Sequence, residues 1–319
     1  MFSVPNLNTL FNPFNLFNRG GEIIGNFRLN HLPVNGEMYI FAETYFTSAS
    51  YKNMKETLSL LVLLMMAAVV MSENSEDLWI ANGKRQIFGV ISKPRYTGEK
   101  QPVAIIAHGF NGTHAHGKNY FKALNDLGYQ CYAFDFPCGS VNSRSDNNTL
   151  NMSIPDEQSD LEAIVRHFKS QPDVDPGRIV LIGESQGGLV SALTAAAIQK
   201  DVHRLVLVFP ALCIPDNWRE RYPDTAVIPD TTTLWNVPLG RRFFMEIHDM
   251  DVFKRIKKFK KPVLIVQGDA DRIVSMEDSR RAANLYKNAR LHIIHGAGHG
   301  FKPKEMHESL LQIQSFLTE

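Results

Sequence analysis

Ser185 stands between two glycines in the stretch Gly183-Glu184-Ser185-Gln186-Gly187. The apolar run RIVLIGE precedes it and the helix-like segment GGLVSALTAAAIQK follows. A serine on a sharp strand-to-helix turn lifts its hydroxyl clear of the backbone at the head of a helix. There the free N–H groups and the helix dipole stabilise negative charge. The glycines remove side chains that so tight a turn would crush. A plain turn would need the same glycines, so residues further along the chain must decide between the two readings.

A serine needs a base, and the base needs a carboxylate to fix its tautomer. Two late segments offer both. QGDADRIV carries Asp269 and Asp271 after one apolar run, and HGAGHGF carries His299 after the next. Asp269 follows its run directly and is expected to hold the turn, which leaves Asp271 as the orienting acid. His292 and His295 fall in or at the end of the last run, whereas His299 lies in a glycine-rich loop that lets its ring project. Acyl transfer also needs donors for the developing oxyanion. The backbone N–H of Gln186 is one candidate, and that of Phe110, in the loop HGFNGTHAHG, is the other. His108, His114 and His116 crowd the same loop. No carboxylate stands near them at ligand spacing and serine chemistry needs no metal, so no metal or other cofactor is expected.

These side chains can meet only if the elements carrying them end at one edge. Six short apolar runs, most of them rich in Val, Ile and Leu, fit strands buried on both faces of a parallel sheet: PVAIIAHG, YQCYAFDF, RIVLIGE, RLVLVFP, PVLIVQGD and RLHIIHG. Helical patterns separate them. DEQSDLEAIVRHFKSQ sets Leu161, Ile164, Val165 and Phe168 on one face, KNYFKALNDLG ends on a glycine, and SMEDSRRAANLYKN opens on Ser275 with Asp278 three places on. Before the first run, LWIANGKRQIFGVISKP reads as two strands around Asn82-Gly83. Strand alternating with helix predicts an α/β fold with a mostly parallel, doubly wound sheet. Ligands of such sheets bind beyond the C-terminal ends of the strands.

One segment breaks the alternation. Residues 211–250 hold Pro215, Pro223, Pro229 and Pro238 among Trp218, Tyr222, Trp235, Phe243 and Phe244, with no clean strand–helix unit. A long connection of that kind inside a compact domain is usually functional. It is expected to lie over the crevice as a lid, its aromatics forming a small core of its own, lining a substrate pocket, or both.

The start of the chain differs from the rest. Residues 1–53 are rich in Asn and Phe, with no sustained period of 3.6 or 2. Residues 54–72, MKETLSLLVLLMMAAVVMS, have the form of a secretory signal peptide: a lysine, an apolar stretch from Leu58 to Met71, and small residues at the end. That stretch is short of the roughly 20 residues a membrane span needs. The simplest account starts translation at Met54, makes 1–53 a non-native upstream extension or a disordered one, and exports residues 73–319 as the catalytic domain, free of stable membrane association after cleavage. An ordered extension with a hydrophobic core helix, and an uncleaved membrane anchor, are the alternatives. The formal net charge of +1 offers no field for nucleic acid. KRIKKFKK, the densest basic segment, reads as a solvated helix face. Three cysteines, Cys131, Cys138 and Cys213, fit no metal clip or disulfide framework; a Cys131–Cys138 or Cys138–Cys213 bridge stays open for an oxidising compartment. A homodimer is compatible with all of this.

From about residue 78 to 319 the chain resembles the α/β-hydrolase superfamily, and within it the cinnamoyl (feruloyl) esterases of gut and rumen bacteria. AHGFNG, FDFPCGSVNSRSD, GESQGG, PVLIVQGDADRIV and GAGHGF match that group in order. The resemblance implies a serine esterase with Ser185 as nucleophile, Asp271 as acid, His299 as base, and Phe110 and Gln186 as oxyanion donors. It implies a lid inserted after the sixth strand, where residues 211–250 fall, with Asp216, Trp235 and Phe244 as candidate substrate contacts. The implied substrates are small-molecule or oligosaccharide esters of hydroxycinnamic acids from plant cell walls. A broad short-chain acyl or acetyl esterase, or a serine peptidase of the same fold, is the alternative; a non-catalytic binding protein is disfavoured because all three triad positions are filled. Glu184 departs from the group, which more often has histidine there.

Overall fold

The computed structural model describes the backbone of residues 14–17, 23–34 and 37–46, and residues 75–94 and 98–319 in full. It divides into two units, Met1–Ser72 and Glu73–Glu319. In the first, β1 (Phe14–Phe17), β2 (Ile23–Val34) and β3 (Glu37–Phe46) form a three-stranded antiparallel sheet. The sequence pattern predicts no element there. The signal-like stretch Leu58–Met71 lies outside the described residues. No helix among the described residues is long and apolar enough to cross a membrane.

The second unit holds the hydrolase-like fold. The hairpin β4 (Ser75–Asn82) and β5 (Arg85–Ser92) turns at Gly83, whose φ of 60° suits glycine. Six strands follow: β6 (Gln101–Ala107), β7 (Gln130–Phe134), β8 (Val174–Glu184), β9 (Arg204–Val208), β12 (Val263–Gly268) and β13 (Ala289–Ile294). With the hairpin they make one sheet in the order β13-β12-β9-β8-β6-β7-β5-β4, parallel from β13 to β7 and antiparallel at the hairpin edge. From β6 the chain winds first towards β7 and then back to β8 on the other side, so the strand order reverses at β6 and β8. Their register pairs Ile106 with Ile182 and Ala107 with Gly183, which brings their outgoing loops side by side.

Successive side chains of these strands face opposite sides and fill two cores. Ile105, Leu181, Leu207 and Ile265 pack against Leu161, Ile164 and Leu189. Ile106, Ile182, Val206 and Val266 pack against Leu124, Ile313 and Phe316. Helices α3 (Ile154–Lys169) and α4 (Ser185–Ala197) are among those on the first face; α2 (Phe121–Asn125) and α9 (Pro303–Thr318) cover the second. Helix α3 starts two residues before the stretch DEQSDLEAIVRHFKSQ: Ser153 Oγ accepts from Asp156 N, Pro155 lies in the first turn, and Asp156 and Glu157 favour its positive end. Helix α8 (Met276–Leu285) is capped by Ser275, as its sequence suggests. A four-residue helix, α1 (His114–Gly117), leads out of the loop after β6.

The insert is more regular than expected. It holds α5 (Ile214–Arg221), a two-stranded hairpin of β10 (Thr231–Leu234) and β11 (Val237–Gly240), and α6 (Arg241–Ile247), with α7 (Val252–Ile256) leading to β12. Each piece is too short for its period to register in sequence. Of the basic segment, Lys254, Lys257 and Lys258 are exposed while Ile256 and Phe259 are buried, the solvated face anticipated. All three cysteines are buried and free.

Candidate active site

The turn after β8 is built around two glycines that cannot carry a side chain. A Cβ on Gly183 would lie 2.3 Å from Gly187 O, and one on Gly187 would lie 2.4 Å from both Ala107 O and His108 O. Ser185, wedged between them, takes φ 51°, a left-handed conformation that non-glycine residues rarely adopt and that often marks functional sites. Its carbonyl accepts from Ala211 N at 2.9 Å, which ties the turn to the start of the insert. The hydroxyl is thereby held at the N-terminus of α4.

Three expected residues come together at that hydroxyl. Ser185 Oγ is 2.9 Å from His299 Nε2, and His299 Nδ1 is 2.9 Å from Asp271 Oδ2. Asp271 has no exposed side-chain surface. Its Oδ1 accepts from the backbone N–H groups of Ile273 and Val274, at 2.8 and 2.9 Å, and its Oδ2 also accepts from Gln267 Nε2 at 3.0 Å. Burial pushes this carboxyl up, but hydrogen bonds from His299, Val274 and Ile273 outweigh it and hold it below the usual aspartate range. An acid held towards its ionised form, with its donors fixed, keeps the proton of His299 on Nδ1 and frees Nε2 to accept from Ser185. The edge of the Phe209 ring packs on the imidazole, centroids 4.9 Å apart, and holds it from the side.

The rival residues serve other purposes. Asp269 accepts from Gly296 N at 2.6 Å and lies 2.8 Å from His295 Nδ1, so it pins the loop that presents His299. His292 pairs with Glu308 on α9. The three histidines after β6 part company. His108 is buried, with Nδ1 2.7 Å from Gly109 O and Nε2 accepting from Phe136 N; burial drops its pKa to about 4. His114 is bound to Asp135, and His116 is exposed.

Phe110 and Gln186, the expected oxyanion donors, both border the cavity at Ser185. The loop of Phe110 is braced by the segment GSVNSRSD: Ser140 Oγ donates to Asn111 O, Val141 N donates to Asn111 Oδ1, and Asn111 N donates to Gly139 O. Asp135 holds the far side of this loop, accepting from His114 N and Arg144 N. Gln186 is anchored by its side chain, whose Nε2 donates to both oxygens of the buried Glu157 at 2.9 and 3.0 Å. Sequence reading missed Glu157, because on α3 it passes for one more acidic residue in the first turn.

Beyond Ser185 a cavity of about 310 Å³ opens under the insert, walled largely by apolar side chains such as Ile214, Trp218, Phe243 and Ile273, with Asn217, Arg221 and Arg272 as polar members. The insert contacts fare differently. Trp235 lies at the tip of the β10–β11 hairpin, where it and Asn236 both have positive φ (48° and 65°), the backbone of a two-residue hairpin turn. This sets an exposed indole at the cavity mouth, edge-on to Phe110 at 5.8 Å. Phe244 is buried behind the wall against Trp218 and Tyr222 and does not reach the cavity; its neighbour Phe243 does. Asp216 lies on the outer side of α5, paired to Arg219, and lines no part of the cavity. The aromatics of the insert thus do both things expected of them, in different residues. Cys213 borders the cavity too, but burial pushes its thiol up to about 11, far from a reactive thiolate.

The fold has clear parallels. The family model described as the prolyl oligopeptidase family matches residues 112–319. Est1E from Butyrivibrio proteoclasticus, solved with ferulic acid bound, is 26% identical, with a TM-score of 0.70 over 76% of this chain and 98% of that one. The uncharacterized protein Rv2307c of Mycobacterium tuberculosis is 28% identical over 71% of this chain and 73% of its own length. The esterase Pf2001 of Pyrococcus furiosus, at 21% identity and a TM-score of 0.57, covers 78% of this chain and 94% of that one and shares the α/β-hydrolase fold.

Proposed function

The chain belongs to the prolyl oligopeptidase family of α/β-hydrolases, and from that premise we propose that it is a serine carboxylic-ester hydrolase acting on hydroxycinnamoyl esters of plant cell-wall saccharides. The observation that carries the catalytic part is the continuous hydrogen-bonded line from Ser185 Oγ through His299 to the buried Asp271. As Ser185 Oγ attacks the ester carbonyl, its proton passes to His299 Nε2, and Asp271 stabilises the imidazolium. The N–H groups of Phe110 and Gln186 receive the oxyanion. The carbon–oxygen bond to the alcohol breaks as His299 Nε2 returns the proton to the leaving oxygen. Water, deprotonated by the same nitrogen, then releases the acid from Ser185.

The substrate class rests on the apolar space under the insert, which suits a flat aromatic acyl group, and on the likeness to Est1E with its bound ferulic acid. Export directed by residues 54–72 would bring the enzyme to polysaccharide fragments. The family's name favours a second reading, hydrolysis of peptide amides by the same triad. Hydrolysis of methyl ferulate, 4-nitrophenyl acetate, 4-nitrophenyl butyrate and a prolyl 4-nitroanilide, by the full chain and by Ser185→Ala, tests both. We expect turnover of methyl ferulate that falls by several orders of magnitude in the variant. Turnover of the short acyl esters alone would end the cinnamoyl assignment, and turnover of the anilide alone would establish the peptidase.

A further inference from the structure

Two cavities meet at Ser185. The second, about 300 Å³, shares Phe110, Ser185 and Trp235 with the first, but Asn111, His116, Glu184, Phe209 and His299 complete it. His299 borders this cavity and not the first. That asymmetry orients the ester. The group that protonates the leaving oxygen must reach it, so the alcohol lies on the side of His299 and the acyl group on the other.

We infer that this second cavity is a leaving-group subsite for a polyhydroxylated alcohol, with Glu184 as the acceptor of its hydroxyl protons. The inference rests on the ester-hydrolase reading and gives a substrate-binding role to a residue next to the nucleophile. Glu184 is only 8% exposed. Its Oε1 accepts from Tyr120 Oη at 2.6 Å, and this is its one hydrogen bond among the described residues. The second oxygen keeps its full capacity to accept. Burial pushes this carboxyl up, and a hydroxyl donor at its second oxygen favours the ionised form. A sugar or glycerol hydroxyl supplies one, while Phe110, Phe209 and Trp235 offer apolar faces to the carbon skeleton. An alkyl alcohol would leave the acceptor empty. A cationic alcohol would satisfy Glu184 but would set its charge beside His299, which becomes an imidazolium as the ester reacts; the two positive charges repel.

The alcohol that leaves and an alcohol that intercepts the acyl-enzyme use the same site, by microscopic reversibility. Partitioning therefore reads the subsite directly. The full chain is given 4-nitrophenyl acetate with glycerol, arabinose, 1-propanol or choline at equal concentration, and the acyl group transferred to each is measured against acetate released. Glycerol and arabinose should capture it roughly tenfold better than 1-propanol, the worth of one hydrogen bond to a charged group. Choline should capture it no better than 1-propanol. In Glu184→Gln the polyol advantage should fall, because a neutral amide makes a weaker hydrogen bond to a hydroxyl than a carboxylate does, and a loss of rate common to all acceptors cancels in the ratio. Equal capture of glycerol and 1-propanol by the unaltered chain overturns the inference without any variant. So does a preference for choline, or an advantage unmoved in Glu184→Gln. A chain that turns over no ester, and whose Ser185 does not react with a fluorophosphonate, sinks the hydrolase reading and the subsite with it, an outcome separate from ester turnover without polyol preference.

Discussion

Asp271→Asn should cripple the enzyme while Asp269→Asn leaves it nearly intact, although the two carboxylates are two residues apart. The structure dictates how the new amide at position 271 must sit. Oδ1 faces two backbone N–H donors, Ile273 and Val274, so the amide oxygen stays there. The NH2 then takes the place of Oδ2, pointing at Gln267 Nε2 and His299 Nδ1. A donor in that position favours the imidazole tautomer that accepts at Nδ1 and carries its proton on Nε2, which can no longer take the proton of Ser185. Loss of the correct tautomer costs about 10⁴ in kcat, or ~5 kcal/mol of transition-state stabilisation. The new NH2 group, set against the NH2 of Gln267, should also cost about 1–3 kcal/mol of stability. Asp269 instead holds Gly296 N and the largely exposed His295. Its replacement loosens a loop but leaves the tautomer of His299 untouched. Stopped-flow release of 4-nitrophenol from 4-nitrophenyl acetate measures acylation for each variant, with far-UV circular dichroism as the check on folding. Acylation by a folded Asp271→Asn within tenfold of the unaltered chain, or equal losses in the two variants, would refute the assignment of the acid.

Glu157 should make the fold sensitive to alkaline pH. Burial pushes its carboxyl up to about 8, against about 4.3 in the unfolded chain; the folded state therefore binds the extra proton, and this contribution to stability is complete below about pH 4 and lost as pH rises through about 8. Thermal melts from pH 5 to 9 should show the melting temperature of the unaltered chain falling over that range more steeply than that of Glu157→Gln, which keeps an amide partner for Gln186. Gly187→Ala should fail to place the nucleophile, since its Cβ would meet two backbone carbonyls at 2.4 Å. A chain that still folds should react with a fluorophosphonate at least about 100-fold more slowly, the scale set by losing one oxyanion donor, and an unchanged rate would show that the turn tolerates the shift.

The hydrogen-bonded line of Ser185, His299 and Asp271 was legible because each member sits where the chain must change direction. A strand that ends in Gly-x-Ser-x-Gly, and two more that end in an acid and a glycine-flanked histidine, announce both their residue types and the edge to which they are delivered. The central strands were legible for a related reason: burial on both faces leaves short, unbroken apolar runs, as in Ala104–Ala107 and Leu205–Val208, and helical patterns bound them at strand length. The insert was not legible. The strands Thr231–Leu234 and Val237–Gly240 are too short to show a period, and their pairing is set by the turn at Trp235 and Asn236. The closing helix Pro303–Thr318 also escapes the sequence reading, although its start carries a proline and its buried face holds Ile313, Phe316 and Leu317.

What stayed hidden follows a physical rule as well. Phe243 and Phe244 are identical neighbours in sequence, yet one lines the cavity and the other is packed behind it, because adjacent residues on a helix point about 100° apart and only the placement of the helix says which faces inward. Glu157 and Glu184 pose the same problem with charge. Each reads as an ordinary acidic residue, and each is buried by elements distant in the chain: Glu157 meets Gln186 across 29 residues and Glu184 meets Tyr120 across 64. Chemistry placed by a turn can be read locally. Features placed by packing, such as the two cavities that share Ser185, depend on which surfaces the fold brings together, and so become visible only in three dimensions.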